Sequence, residues 1–195
     1  DTAQLHDGNI ELTRRVIEAG RRIGVERLCF ISTAFSCGDV GSDRIPETLH
    51  PDRGRDLTEY TRSKRQAEWM IAASGLPYVI LRPSVLIGNS VDGRYSGKAY
   101  GLAQFWEGWS RLLCPKYRRE LHLVVPETPV PLLHQDDFQR AVMMARRRLD
   151  DGAIVNLVTP PEDLVPTRDL YELMLAAVRP EKAYFYASHG DVPRS

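Results

Sequence analysis

A tyrosine and a lysine, Tyr60 and Lys64, lie four residues apart in a segment with helical character. Both share one helix face with Ala67 and Ile71, and these two apolar residues mark that face as the inward one. An ammonium group one helical turn from a phenol favours the phenolate, so the pair predicts a lowered pKa for Tyr60. A tyrosine tuned in this way is a usable general acid or base. The alternative is that Lys64 extends its charge to solvent along the helix and that Tyr60 is an ordinary core aromatic.

Two further polar segments follow apolar runs that are typical of buried strands. Thr33 follows the run 28–32, and the segment 82–84 stands at the end of the run 78–82. In open parallel sheets, ligands bind beyond the carboxyl ends of the strands, so a hydroxyl there can hold a carbonyl oxygen beside the tyrosine. The alternatives are a Ser/Thr turn that closes the first strand and a proline that ends the second.

The elements that must position these residues alternate along the chain. Helical periodicity covers 8–23, 56–74, 98–113, 136–149 and 167–178. Extended character covers 28–32, 78–82, 121–125 and 154–158. The pattern in 56–74 predicts a capping box made by Asp56 and Glu59, with Gly75 ending the helix. Repeated strand–helix–strand order predicts βαβ units, a parallel sheet and the α/β fold class.

Composition excludes several other classes of function. The chain has 195 residues, with 26 Lys+Arg against 26 Asp+Glu, and this neutral balance argues against binding nucleic acid or an anionic membrane by bulk charge. No apolar run approaches the roughly 20 residues of a membrane helix. The cysteines Cys29, Cys37 and Cys114 form no CxxC pair, and the histidines show no metal-ligand spacing. We therefore expect reduced thiols, no metal, no nucleic-acid partner and a cytoplasmic location.

The order of these motifs resembles that of the extended short-chain dehydrogenases/reductases. The resemblance covers about residues 8–176 and is carried by the segments 9–13, 30–38, 60–64, 82–88 and 134–138, together with Glu47. The Ser-Thr-Ala form at 32–34, Glu47, and Arg-Pro-Ser followed by Gly88 are most similar to the male-sterility branch. That branch includes fatty acyl-CoA reductases and the thioester-reductase domains of carboxylic acid reductases and peptide synthetases.

The resemblance implies hydride transfer between a nicotinamide and a carbonyl-level carbon. In this interpretation Tyr60 donates a proton to the substrate oxygen, while Lys64 lowers the pKa of the tyrosine and holds the nicotinamide ribose. Thr33 hydrogen-bonds the reacting oxygen, and Asn9 anchors a water or the backbone near Lys64. For Asn9 the residue pattern alone leaves open a simple N-cap.

The resemblance also implies a cofactor, NADP or NAD, and a small-molecule acyl or carbonyl substrate. The residues it assigns to cofactor binding are Tyr60, Lys64, Ser32, Pro83, Ser84 and Val85. The implied architecture is the C-terminal part of a doubly wound, parallel-sheet Rossmann fold with a small substrate-binding lobe. Residues 1–90 would form the Rossmann part with the catalytic motif, and 91–195 the lobe, with segments returning to the main domain.

The chain departs from the family pattern in three places. Leu12 stands where the family usually has glycine, and Ser36 and Cys37 replace bulkier residues before Gly38. The sequence also contains no G-x-G-x-x-G loop to cradle a pyrophosphate. We therefore expect the chain to be the C-terminal part of a longer protein that binds a dinucleotide weakly, or not at all, without the preceding part. The residue that selects NAD or NADP would precede this chain, although NADP is usual in the thioester-reductase branch.

Three functions are compatible with these motifs. The first is an NAD(P)-dependent reductase that acts on an acyl thioester or a related carbonyl. The second is a sugar-nucleotide epimerase/dehydratase or a 3β-hydroxysteroid-type dehydrogenase, and the third is a non-catalytic dinucleotide-sensing protein. The presence of Thr33, Tyr60 and Lys64 together weighs against the third, because a sensor does not need all three.

Overall fold

A computed structural model describes residues 2–41, 44–52, 55–98, 101–112, 120–125, 128–178 and 182–192. The chain forms two compact units, one made of Asp1–Ser84 with Asp136–Val158 and the other of Val85–Gln135 with Thr159–Ser195. The chain passes from the first unit to the second between Ser84 and Val85 and returns to the first at Asp136. The division into domains at residue 90 stays a prediction.

The described residues form helices and strands in alternation. The helices are α1 (Thr2–Ile23), α2 (Glu59–Ala72), α3 (Leu102–Leu112), α4 (Gln135–Arg148) and α5 (Thr167–Val178). The strands are β1 (Leu28–Ile31), β2 (Tyr78–Pro83), β3 (Val85–Ile87), β4 (Glu120–Val124), β5 (Leu132–His134), β6 (Ala153–Leu157) and β7 (Lys182–Tyr186). Each predicted element is present: α5 has the predicted ends, α1 begins at Thr2 instead of residue 8, and the ends of the others are displaced by a few residues. Residues 99–100 and 113 of the predicted helix 98–113 lie outside the described residues.

A three-stranded parallel sheet in the order β1–β2–β6 is the centre of the first unit. Its middle strand, β2, contributes Val79, Ile80 and Leu81, which are at most 1% exposed. Burial on both faces explains why this strand appears in the sequence as a continuous apolar run. The predicted α/β class with a parallel sheet is thus confirmed.

Helix α2, which carries Tyr60 and Lys64, begins later than predicted. Its N-cap is Thr58, whose side chain accepts a hydrogen bond from the Thr61 backbone N–H, and Thr61 completes the capping box. The prediction of an Asp56–Glu59 box is wrong, because the Asp56 carboxylate instead pairs with Arg65 at 2.6 Å. The competing ion pair removes Asp56 from the helix end and leaves the next hydroxyl residue to cap it.

The second unit contains two small parallel sheets, β3 with β5 and β4 with β7. Strands β3, β5 and β7 were not predicted. Two of them, Val85–Ile87 and Leu132–His134, have only three residues each, which is too short for a periodic pattern to be distinguished from a loop.

The turn after β1 depends on a glycine, and Gly38→Ala tests it. Gly38 has a φ of +64°, and an added Cβ would lie 2.6 Å from the carbonyl oxygen of Arg55. Gly41 has a similar φ of +59° but open space around it, so Gly41→Ala is a control for backbone strain alone. We expect urea unfolding to show a loss of about 3 kcal/mol for Gly38→Ala and about 1 kcal/mol for Gly41→Ala. Equal losses would mean that the Arg55 carbonyl moves away at no cost.

The described part of the chain lacks two features that would bear on its function. It contains no group of three His, Cys, Asp or Glu side chains placed to hold a metal ion. None of its helices has the length and apolar character needed to cross a membrane. Cys29 and Cys37 are free thiols, and Cys114 lies outside the described residues.

Candidate active site

The phenol and the ammonium group predicted from the sequence come together at the carboxyl end of β1. The Nζ of Lys64 donates a hydrogen bond of 3.0 Å to the carbonyl oxygen of Ile31, the last residue of that strand. The same Nζ lies 6.0 Å from the centroid of the Tyr60 ring and 5.2 Å from that of Phe30. Lys64 is therefore turned toward the sheet, as the shared helix face predicts, and does not extend away from it.

The titration behaviour of this pair differs from the prediction. Burial raises the pKa of Tyr60 above its ordinary value of 10.0, although the residue keeps 42% of its surface exposed. Burial also lowers the pKa of Lys64 below 10.5, and the negative charge of Glu68 opposes that change. The prediction of a lowered Tyr60 pKa is wrong for this structure, because burial disfavours the charged phenolate and so raises the pKa.

Thr33 lies two residues beyond Ile31 and is 7% exposed. Its Oγ1 accepts a hydrogen bond of 3.4 Å from the Phe35 backbone N–H and caps the short 3₁₀ helix Ala34–Cys37. The turn-closing role considered from the sequence is therefore present. The cap uses only a lone pair on the oxygen, so the hydroxyl hydrogen of Thr33 can still be donated to another group.

Asn9 lies inside α1 and not at its start, because the helix already begins at Thr2. The N-cap interpretation of Asn9 is therefore wrong. Its Nδ2 donates to the Ser63 hydroxyl at 2.9 Å, and that hydroxyl donates to the Tyr60 carbonyl at 2.8 Å. Asn9 thus fixes α1 against the first turns of α2, next to Lys64 in the chain.

The end of β2 supplies the remaining predicted residues. Pro83 is the last, buried residue of β2, and Ser84 is 7% exposed with its backbone N–H bonded to the Leu157 carbonyl at 3.0 Å. The Ser84 hydroxyl is buried and has no hydrogen-bond partner among the described residues. Val85 begins β3 and belongs to the second unit.

Ser32 has a different environment from the one predicted. It is 3% exposed, and its hydroxyl donates a short hydrogen bond to the Glu68 carboxylate inside the protein. That bond turns the Ser32 side chain inward, which leaves only its backbone for the predicted cofactor contact.

A buried ion pair next to the site was missed by the sequence reasoning. Glu68 and Arg82 are both fully buried and lie 2.6 Å apart. A signal was present, because an arginine at the end of the apolar run 78–82 cannot be buried without an acidic partner. The sequence did not indicate that Glu68, one turn after Lys64, is that partner.

Comparisons with known proteins agree with this architecture. The model of the family described as "NAD dependent epimerase/dehydratase family" matches residues 1–157. No curated protein matches the chain.

Several solved structures share the fold. RMD from Pseudomonas aeruginosa complexed with NADPH has a TM-score of 0.67 at 20% identity, covering 97% of this chain and 67% of its own. The UDP-glucose 4-epimerase of Thermotoga maritima with UDP-glucose has a TM-score of 0.63 at 22% identity, and the match covers 98% of this chain and 60% of the epimerase. WbmG from Bordetella bronchiseptica in complex with NAD has a TM-score of 0.66 at 21% identity, and the match covers 99% of this chain and 56% of WbmG.

The chain therefore spans between 56 and 67% of the length of these three proteins. At such identities the likeness shows the fold alone. The predicted cofactor class, NADP or NAD, is confirmed at the level of the family, whose description names NAD. Because this family model matches most of the length of the chain, the chain belongs to the NAD-dependent epimerase/dehydratase family.

Proposed function

We propose that this chain carries the acid–base residues of an NAD(P)-dependent oxidoreductase. The observation that carries the proposal is the position of the Lys64 Nζ, 3.0 Å from the Ile31 carbonyl oxygen and 6.0 Å from the Tyr60 ring centroid. Phenol and ammonium group are thereby held at the carboxyl end of a parallel strand, the edge at which such sheets bind ligands. Thr33 adds a hydroxyl donor to the same edge.

Each of these side chains has a distinct role in the reduction of a carbonyl. When bound, a reduced nicotinamide dinucleotide supplies the hydride. The Tyr60 hydroxyl gives its proton to the carbonyl oxygen as negative charge develops there, and the Thr33 hydroxyl donates a hydrogen bond to the same oxygen. The Lys64 ammonium group stabilises the phenolate that remains until solvent returns the proton.

The residues present fit the nicotinamide end of such a cofactor. The buried Ser84 hydroxyl has no partner among the described residues, and a buried polar atom of this kind needs one. Together with the half-exposed Tyr60 phenol and the Lys64 ammonium group, it gives hydrogen-bonding groups for a ribose and a carboxamide. Pro83, which precedes Ser84 in the chain, is the apolar residue of this unit that we assign to the cofactor, and Ser32 contributes through its backbone.

The raised pKa of Tyr60 predicts a direction for the pH dependence. The phenol is protonated at neutral pH and serves as the acid, so kcat/KM for reduction is expected to be flat around neutrality and to fall only in alkaline solution. Oxidation of the alcohol needs the phenolate, so its kcat/KM is expected to rise with pH. Steady-state rates in both directions over a pH series test this. A reductive rate that already falls around neutral pH would assign the proton to another group.

The substrate class we propose first is an acyl thioester or a related aldehyde, because the motifs at 32–34 and 82–88 resemble those of thioester reductases. The test is NADPH oxidation by the full-length protein with a long-chain acyl-CoA and with simple aldehydes. We expect NADPH consumption that depends on the acyl substrate and is lost in Tyr60→Phe. No consumption with either substrate would remove this class.

A sugar-nucleotide epimerase is the second candidate, because one structure with the same fold is a UDP-glucose 4-epimerase with UDP-glucose. Such a reaction oxidises and then reduces the same carbon and consumes no net cofactor. Incubating the full-length protein with UDP-glucose and NAD, and analysing the nucleotide sugars by chromatography, separates the two candidates. Formation of the 4-epimer without net NADH would favour this second function over thioester reduction.

A further inference from the structure

A fully buried carboxylate joins the three elements that carry the candidate site. Glu68 lies on α2, one turn after Lys64, and Arg82 lies near the end of β2, next to Pro83. The guanidinium Nη2 of Arg82 donates to Glu68 Oε2 at 2.6 Å and its Nε donates to Oε1 at 3.0 Å. A buried pair of this kind is weak evidence for stability, because desolvation of the two charges offsets most of their attraction. Its arrangement therefore points to another role.

The third partner of the pair is Ser32, whose hydroxyl donates to Glu68 Oε1. Ser32 stands between Ile31, whose carbonyl accepts the Lys64 Nζ, and Thr33, the hydroxyl residue of the candidate site. The Ser32 backbone N–H bonds the Leu81 carbonyl of the sheet at 2.8 Å, and its hydroxyl, by donating to Glu68, ties the short segment that presents both groups to α2. The helix that supplies this carboxylate also bears Tyr60 and Lys64.

Arg82 is itself fixed from the other side. Its Nη2 donates to the Thr48 carbonyl at 2.8 Å, and its Nη1 lies 2.9 Å from Nε2 of the buried His50. Because a guanidinium group only donates, that His50 nitrogen accepts. Glu68 is therefore held in one place by an arginine whose own position is set by the loop before α2.

We propose that Glu68 is a positioning residue, which through Ser32 holds the end of β1 in register with α2 so that Thr33 and the Ile31 carbonyl meet Tyr60 and Lys64. The effect of this positioning on catalysis rests on the proposed function. The negative charge of Glu68 also favours the charged form of Lys64, in agreement with its proximity.

A matched pair of serines makes the test specific. Ser32 and Ser36 are both buried in the segment after β1, but only Ser32 bonds Glu68, whereas the Ser36 hydroxyl has no partner among the described residues. Ser32→Ala removes the link and leaves the Glu68–Arg82 pair intact. Ser36→Ala removes an equally buried hydroxyl and is the control.

The first readout is the titration of Lys64 by NMR in full-length protein with ¹³C-labelled lysine. The signal of Lys64 is assigned by its loss in Lys64→Met. We expect Ser32→Ala to shift the Lys64 pKa downward, because the Ile31 carbonyl withdraws from the ammonium group, and Glu68→Gln to shift it further by removing the negative charge. Ser36→Ala should leave it unchanged. An unchanged titration in Ser32→Ala would overturn the proposal, even if Glu68→Gln does not fold.

The second readout is turnover of NADPH with the acyl-CoA or aldehyde substrate. Ser32→Ala is expected to lower kcat about tenfold, and the double variant S32A/E68Q should be no slower than E68Q alone, because both act through one link. Additive losses would overturn the positioning role. A Lys64 titration that moves with Ser32→Ala while Tyr60→Phe keeps full turnover would overturn the proposed function and leave the positioning intact.

Discussion

Replacing Tyr60 by phenylalanine is expected to lower kcat by about 100- to 10,000-fold, the usual contribution of a positioned acid or base. The substitution removes only the phenolic oxygen, and the ring, with 42% of its surface exposed, keeps its packing. The hydroxyl has no hydrogen-bond partner among the described residues, so the free energy of unfolding should change by less than about 0.5 kcal/mol. Steady-state kinetics and urea unfolding of the full-length protein measure the two effects separately.

Tyr78→Phe is the matched control for this substitution. Tyr78 is the first residue of β2 and therefore lies at the amino end of the sheet, away from the edge that carries Tyr60 and Lys64. The same loss of one oxygen there is expected to leave kcat within about twofold of the wild type. If Tyr60→Phe also retained normal turnover, the phenol would have no part in the chemistry and the oxidoreductase proposal would fail.

Buried strands were predicted well from the sequence because their environment leaves a local signature. Strand β2 is covered on both faces, so four consecutive apolar residues in 78–81 mark it without any knowledge of its neighbours. Helix α5 was placed with its observed ends, Thr167 and Val178. In both cases the information lies within a few residues of chain.

Helix starts were predicted less well, because a cap is chosen by competition among distant groups. Asp56 has the right residue type and spacing for a capping box with Glu59, yet its carboxylate pairs with Arg65. Thr58 then accepts the backbone N–H of the first turn. The sequence shows the candidates for a cap, but only the folded structure shows which of them is free to serve.

The candidate site shows the same limit at atomic scale. The spacing of Tyr60 and Lys64 correctly predicted that they share a face, but it did not show that the ammonium group would donate to the Ile31 carbonyl. It also did not show that burial of the phenol would raise the pKa of Tyr60. The partner of Arg82 was missed for the same reason, since a contact between residues 68 and 82 leaves no periodic pattern.

Lys64→Met is expected to lower kcat by about 100- to 1,000-fold and to weaken NADPH binding at the same time. Methionine keeps the length and apolar stem of the side chain, so the loss is that of the charge and of the hydrogen bond to the Ile31 carbonyl. Fluorescence titration with NADPH and steady-state kinetics measure the two losses. Lys182→Met, at an exposed residue of β7, is the control and should change neither quantity.

Stability separates this role from that of an ordinary core lysine. Since the pKa of Lys64 is lowered in the folded protein, the unfolded chain binds its proton more tightly, and the protonated lysine opposes folding at neutral pH. The contribution of Lys64 to the free energy of unfolding therefore rises with pH between its folded-state pKa and the ordinary value of 10.5. Lys64→Met should flatten that rise and should not destabilise the protein at neutral pH. A variant that lost stability while keeping its turnover would identify Lys64 as a structural residue. A variant of unchanged stability that has lost both turnover and NADPH binding would assign the Lys64 ammonium group to the reaction. The cost of holding this charge in a partly buried place would then be explained by the chemistry and not by the packing of the fold.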